Sequence, residues 1–184
     1  MINELYKNRY RTASSRLSWH NYNMGCYYVT ICTKNMEYYF GNISDKQMIL
    51  SEIGSVAEEL ILLMPQNYPG VEVLSYVVMP NHIHIIIHIH EEENKSVSIN
   101  NNETLFTALD KNAPKHEGMQ EIALHQGKLS KVINHFKGAV TKHARSKGIP
   151  FAWLPRFYDE IIRDDESFDN IKRYIESNVE RWCY

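Results

Sequence analysis

Residues 76–87, Tyr-Val-Val-Met-Pro-Asn-His-Ile-His-Ile-Ile-Ile, constrain the fold more than any other stretch. Two β-branched runs flank a Pro-Asn pair, a combination that ends one strand and turns into the next, so the stretch predicts a β-hairpin. Side chains alternate faces along a strand at about 3.3 Å per residue. His82 and His84 therefore share one face roughly 6.6 Å apart, close enough for two imidazoles to converge on one cation, while Ile83 and Ile85 point into a core. His88 and His90 continue on the histidine face, but His88 is about 20 Å beyond His82 and outside any shared coordination shell. They read as strand-exit residues ahead of Glu91-Glu92-Glu93, with metal binding there the lesser reading. A lone strand histidine is most often a half-buried residue with a satisfied ring. His-x-His by itself does not separate that reading from a ligand pair.

The flanking segments supply the rest of a sheet. Cys26 to Thr33 is dense in β-formers and reads as the first strand, with Tyr38 to Ile43 as a short partner. Gln47 to Met64 carries apolar residues at helical spacing and is ended by Pro65. Val71 to Val78 is the second core strand and His82 to His90 the third. Residues 91–126 change character, with Glu91-Glu92-Glu93-Asn94 and Asn100-Asn101-Asn102 too polar to bury a face. They read as a mobile insertion with a short helical turn near Leu105 to Leu109. Lys128 to Ser146 is helical, with a stripe of Leu129, Val132, Ile133, Phe136, Ala139 and Val140, and Gly148 closes it. Phe157 to Arg163 is a fourth strand. Asp164 or Asp165 caps a last helix whose core side is marked by Phe168, Ile171, Ile175, Val179 and Trp182. The order βαββαβα implies an α+β, ferredoxin-like antiparallel sheet with helices on one face and the histidine strand near its centre.

A chain of 184 residues with 43% hydrophobic content suits one domain, residues 1–184, with residues 1–25 as a basic N-terminal arm. No stretch approaches the roughly 20 apolar residues of a membrane span, and the N-terminus lacks a signal-peptide core. The expectation is a cytoplasmic protein with no membrane partner. Cys26, Cys32 and Cys183 are odd in number and have no metal-type spacing, which fits unpaired thiols in a reducing compartment. The net charge of −2 hides local asymmetry. Lys128, Lys131, Lys137, Lys142, Arg145 and Lys147 lie in a stretch without an acidic residue, and Lys7, Arg9, Arg11 and Arg16 stand against Glu4 in the arm. On charge alone, a nucleic-acid partner and a solvated basic face are equally good readings.

Tyr174 and Asn178, spaced i, i+4, are neighbours on the surface of the last helix. Two neutral imidazoles plus the carbonyl oxygen of Asn178 would make a three-ligand site with open positions for Mg²⁺ or Mn²⁺. Such an ion polarises a phosphate oxygen, and Tyr174 would stand beside it as a nucleophile helped to lose its proton. The competing reading is a Tyr and an Asn on a helix flank, and with twelve tyrosines in the chain the spacing alone favours that one.

Val77-Val78-Met79-Pro80-Asn81-His82-Ile83-His84 resembles the HUH motif (His, bulky hydrophobic, His) of the IS200-like single-tyrosine transposases. Residues 16–19 and 25–33, then Phe40-Gly41, residues 128–141, residues 153–163 and Arg173 to Asn178 resemble, in order, blocks of the REP-associated tyrosine transposases. The likeness spans most of the chain apart from the insertion. It implies an HUH endonuclease palm that cuts single-stranded DNA beside a hairpin. Tyr174 would hold the 5′ end as a phosphotyrosine, with His82, His84 and Asn178 holding the metal and Tyr158 as the rival nucleophile. Candidate DNA contacts are Arg9, Arg11, Arg16, Lys131, Lys137, Lys142 and Arg145 for phosphates, and Trp19 for stacking on bases. Val179 follows Asn178 where the family usually has Pro, and the chain ends at Tyr184, earlier than many members. These departures motivate an alternative, a domesticated hairpin-binding protein without cleavage. A third reading is a phosphodiesterase using the histidines as acid and base. A homodimer is compatible with the sequence, which leaves open whose histidines Tyr174 would serve.

Overall fold

The computed structural model describes residues 22–90 and 127–182. Arg9, Arg11, Arg16 and Trp19, and the 91–126 insertion with its expected helical turn, lie outside the described residues. Among the described residues six strands are formed: β1 (Gly25–Cys32), β2 (Gly41–Ser44), β3 (Gln47–Leu50), β4 (Val71–Val78), β5 (His82–Ile89) and β6 (Tyr158–Ile162). The helices are α1 (Glu52–Leu62), α2 (Met64–Asn67), α3 (Lys128–Ser146) and α4 (Asp165–Glu176). Four strands make one sheet in the order β4-β5-β1-β6, each pair antiparallel. This is the ferredoxin-like α+β arrangement, with the histidine strand β5 one of the two central strands.

Alternation along β5 and β1 divides the sheet into two faces. Ile83, Ile85, Ile87 and Ile89 join Tyr27, Val29 and Ile31 in the larger core. That core is covered by Ile53, Ala57, Leu60 and Ile61 of α1 and by Leu129, Val132, Ile133, Phe136 and Val140 of α3. Ile83, Ile85 and Ile87 have no exposed area, and burying each stabilises the fold by about 1.5–3 kcal/mol. The opposite face carries a smaller cluster. There Ile86 and Ile162 meet Ile175 of α4, with Cys26, Tyr28, Val77, Phe168 and Ile171 around them. The last helix thus lies across the face that holds His82 and His84, so helices cover both faces of the sheet rather than the single face expected.

β4 reaches both faces through a bulge. Its register on β5 shifts between Val73 and Ser75, leaving Leu74 as the extra, exposed residue. One inserted residue reverses the phase. Val71 and Val73 face the larger core before it, Tyr76 and Val78 after it, and Val77 turns to the histidine face opposite His84.

Two expected boundaries differ. Gln47–Leu50 is a strand paired with Gly41–Ser44, so the first helix starts at Glu52, and the 41–44 segment partners β3 rather than β1. Asp45 and Lys46 both have positive φ (50° and 59°), the backbone of a tight two-residue hairpin turn. The apolar spacing of Met48 and Ile49 mimics a helix, yet Ile49 is exposed. Ser51 then caps α1 by accepting from the Gly54 amide at 3.1 Å. A side chain at Gly54 would come within 2.0 Å of the Phe40 carbonyl oxygen, so glycine lets the helix start pass under the hairpin. Downstream, Asp164 caps α4 by accepting from the Ser167 amide at 2.7 Å.

Candidate active site

His82 and His84 lie at the start of β5, pointing away from the larger core, with ring centroids 4.6 Å apart. Each ring is held through Nδ1. His82 Nδ1 is 2.7 Å from Asn81 Oδ1, an acceptor only, so Nδ1 carries the proton and Nε2 keeps its lone pair. The amide of Asn81 is oriented by its own donation to the Met36 carbonyl at 3.3 Å. His84 Nδ1 lies 2.7 Å from the Tyr28 hydroxyl and 2.9 Å from Thr30 Oγ1, and Thr30 is its cross-strand partner on β1. Both hydroxyls can accept, which allows an Nδ1–H tautomer with the lone pair on Nε2. His84 Nε2 is buried and has no hydrogen-bond partner. An orphaned imidazole nitrogen is costly in a dry interior unless something occupies its lone pair.

Burial sets the charge state. It pushes the His82 imidazolium down to about 4, and burial followed by the neighbouring His82 pushes His84 down to about 3. Both rings are neutral at pH 7, the state a metal ligand requires. Two neutral imidazoles with oriented Nδ1 groups fit a cation, and outer-shell oxygens on ligand histidines are the usual device for orienting them.

The end of α4 arrives over this pair. The Tyr174 ring is 5.3 Å from the His84 ring, in T-shaped contact within one chain, and the residue is 42% exposed. Asn178 is not on the helix. The last helical residue is Glu176, and Asn178 sits in the following turn with its backbone N–H donating to the Ile175 carbonyl at 3.2 Å. It is buried, one turn after Tyr174 and one before Trp182. Trp182, expected on the core side of the helix, instead places its ring 5.9 Å from His82 and 6.0 Å from Tyr38. The chain leaves the helix before Trp182, so helical phase no longer applies to it.

Tyr158 is also on the histidine face, cross-strand from Thr30. Its hydroxyl donates to Glu160 at 3.3 Å, and burial followed by Glu160 raises its pKa. Burial pushes the Tyr28 phenol up to about 12, which suits a fixed hydrogen-bonding group rather than a nucleophile. The sequence does not single out Tyr28, Thr30 or Trp182, and Asn81 enters it only as a turn residue. The cross-strand register would have exposed Thr30, but register between strands distant in sequence is not written in either strand.

The basic residues of α3 are elsewhere. α3 packs on the face opposite the histidines, with Lys131, Lys142 and Arg145 exposed along one side. Lys137 differs from them. Its ammonium donates to the Leu154 and Arg156 carbonyls at 2.9 and 2.6 Å and lies 5.6 Å from the Trp153 ring, which ties the 154–156 loop to α3. That engagement is structural and takes up two of the three ammonium hydrogens.

A protein of Haemophilus influenzae (strain ATCC 51907 / DSM 11121 / KW20 / Rd), described as uncharacterized, is 32% identical over 171 residues, covering 92% of this chain and 88% of that protein. The chain belongs to that protein's family. No described family profile matches it. A REP-associated tyrosine transposase, solved bound to a REP hairpin, superposes with a TM-score of 0.53 at 15% identity, over 93% of this chain and 81% of that one. At that identity the likeness establishes a shared fold. Among the described residues, no helix is long and apolar enough to cross a membrane.

The depressed histidine values have a consequence for stability. Well above pH 6.5 both imidazoles are neutral, folded or unfolded, and contribute nothing. As pH falls below that, the unfolded chain takes up protons that the folded site refuses, so stability drops. By pH 5 the loss is about 2 kcal/mol per histidine in metal-free buffer. Denaturant titrations at pH 7 and 5 check this: a His82→Gln/His84→Gln variant should lose most of the acid sensitivity, and an unchanged slope in it would exclude the pair as its source.

Proposed function

We propose that the chain is a metal-dependent single-stranded DNA endonuclease and strand transferase, a single-tyrosine HUH transposase acting at DNA hairpins. The observation that supports this best is the Tyr174 ring 5.3 Å from His84, beside an imidazole nitrogen that is buried and unpartnered. His82 and His84, through Nε2, and the carboxamide oxygen of Asn178 would hold Mg²⁺ or Mn²⁺, with Mn²⁺ better matched to mixed nitrogen and oxygen donors. When bound, the ion polarises a non-bridging phosphate oxygen.

The remaining steps belong to the protein and the DNA. Tyr174 Oη attacks the scissile phosphorus, the bond from phosphorus to the 3′ oxygen breaks, and the phenol proton leaves as the 3′ oxygen gains one. The products are a 5′ phosphotyrosine and a free 3′ hydroxyl. Because the phosphodiester is exchanged rather than hydrolysed, a second 3′ hydroxyl can reverse the step and join new ends without ATP. Tyr28, Thr30 and Asn81 hold the imidazoles. Lys131, Lys142 and Arg145, with Arg9, Arg11, Arg16 and Trp19 of the arm, would carry the DNA flanking the cut.

The test uses single-stranded oligonucleotides tiling the DNA that flanks the gene, including inverted repeats able to fold into hairpins, in Mn²⁺. A 3′ label should become covalently attached to the protein while a 5′ label is released with a free 3′ hydroxyl. Cleavage with no protein-linked product would reject the transferase reading. One observation favours the non-cleaving alternative: the exposed basic side of α3 faces away from the histidines and can bind DNA without them. Tight hairpin binding with no cut in any divalent metal would select it.

A further inference from the structure

A second cluster of metal-ligating side chains stands at the other end of the histidine strand. Glu72 of β4 is the cross-strand partner of His88 on β5, and His90 follows the end of that strand, its amide donating to the Gly70 carbonyl at 3.0 Å. One ligand atom from each of Glu72, His88 and His90 lies within 4.8 Å of the others. The ring centroids of His88 and His90 are 5.7 Å apart. His88 Nδ1 and Glu72 Oε2 are separated by 3.6 Å, longer than a hydrogen bond between such groups. Two donors on one tetrahedral ion, with bonds of 2.0–2.1 Å, stand roughly 3.3 Å apart. The pair is therefore spaced more nearly as co-ligands than as a hydrogen-bonded couple. The side chains of Glu72 and His88 are 54% and 42% exposed, free to close the remaining tenths of an ångström by small rotations.

We propose that Glu72, His88 and His90 form a second metal site, for Zn²⁺ or a similar borderline-soft divalent ion, distinct from the site at His82 and His84. The donor set of two imidazoles and one carboxylate is the zinc type and leaves a fourth position for water. The two sites share no ligand and are about 20 Å of strand apart. Bound there, an ion ties β4 to β5 and to the chain leaving β5, so it stabilises the folded state over the unfolded one. No step of the DNA reaction uses it.

The experiment is calorimetric titration of the full, chelator-stripped chain with ZnCl₂, paired with thermal unfolding and with the visible absorption of added Co²⁺. His90→Ala and Glu72→Gln should each lower the Zn²⁺ stoichiometry by one equivalent, whatever the His82/His84 site binds. A His82→Ala/His84→Ala variant should keep that equivalent and its tetrahedral Co²⁺ spectrum. At a hundredfold excess over Kd, Zn²⁺ should raise the Tm of that variant by roughly 5–10 °C, and the rise should vanish when His90→Ala is added. Unchanged stoichiometry in His90→Ala and Glu72→Gln would overturn the proposal. Because both substitutions lie on the exposed end of the sheet, they test it even where the His82/His84 variant does not fold.

Discussion

Tyr174→Phe should abolish the covalent protein–DNA adduct, by about 10⁴-fold or more, while hairpin binding stays within about twofold. The substitution removes one oxygen and nothing else. The ring keeps its T-shaped contact with His84, and at 42% exposure the residue contributes little to the core. The control is Tyr158→Phe. Tyr158 shares the sheet face and is 54% exposed, but its hydroxyl is engaged by Glu160 and its phenol is harder to ionise. It should retain the adduct. The measurement is a denaturing gel with 3′-labelled hairpin DNA in Mn²⁺, run alongside a binding titration without metal. Full adduct in Tyr174→Phe would reject Tyr174, and its loss in Tyr158→Phe would move the nucleophile to the strand.

The hairpin of β4 and β5 was legible because its signal is local. Val71–Val78 and His82–Ile89 match the two hydrophobic runs around Pro80-Asn81, and α3 matches its apolar stripe at both ends. The same periodicity failed at Gln47–Leu50, where the Asp45-Lys46 turn diverts four apolar-patterned residues into a hairpin outside the main sheet. The meeting of β5 with the end of α4 came from the order of elements and from family resemblance, since residues 84 and 174 are joined by no local pattern. What surrounds the histidines was not legible. Thr30 reaches His84 only because β1 pairs with β5 in one register, and Tyr28 reaches it diagonally across that pairing. Asn178 and Trp182 were assigned by helical phase, which ends at Glu176, so their places depend on a turn the pattern does not encode.

His84→Ala should remove metal-stimulated cleavage almost completely, about 10³-fold or more at fixed Mn²⁺, with only partial recovery at high metal. The physical case rests on what this imidazole cannot do. A histidine acting as general acid must be protonated near neutral pH, and the most efficient ones titrate close to the working pH. Burial holds His84 near 3 and His82 near 4, so neither carries a proton to give at pH 7. A lone pair on Nε2 is what remains, and on His84 it is buried without a protein partner. Donation to a cation uses that lone pair, whereas imidazoles with so low a proton affinity are weak bases at pH 7 and hold no proton to give. Two measurements separate the readings. Under the ligand reading, a chelator silences the wild-type protein and Mn²⁺ restores it, whereas His84→Ala shows a much larger Mn²⁺ requirement. Under the acid–base reading, cleavage survives chelation, Tyr174→Phe is nearly silent, and the rate falls on a bell-shaped pH profile set by the two imidazoles. Chelator-resistant cleavage of the hairpin would therefore remove the ion from the mechanism and Tyr174 with it.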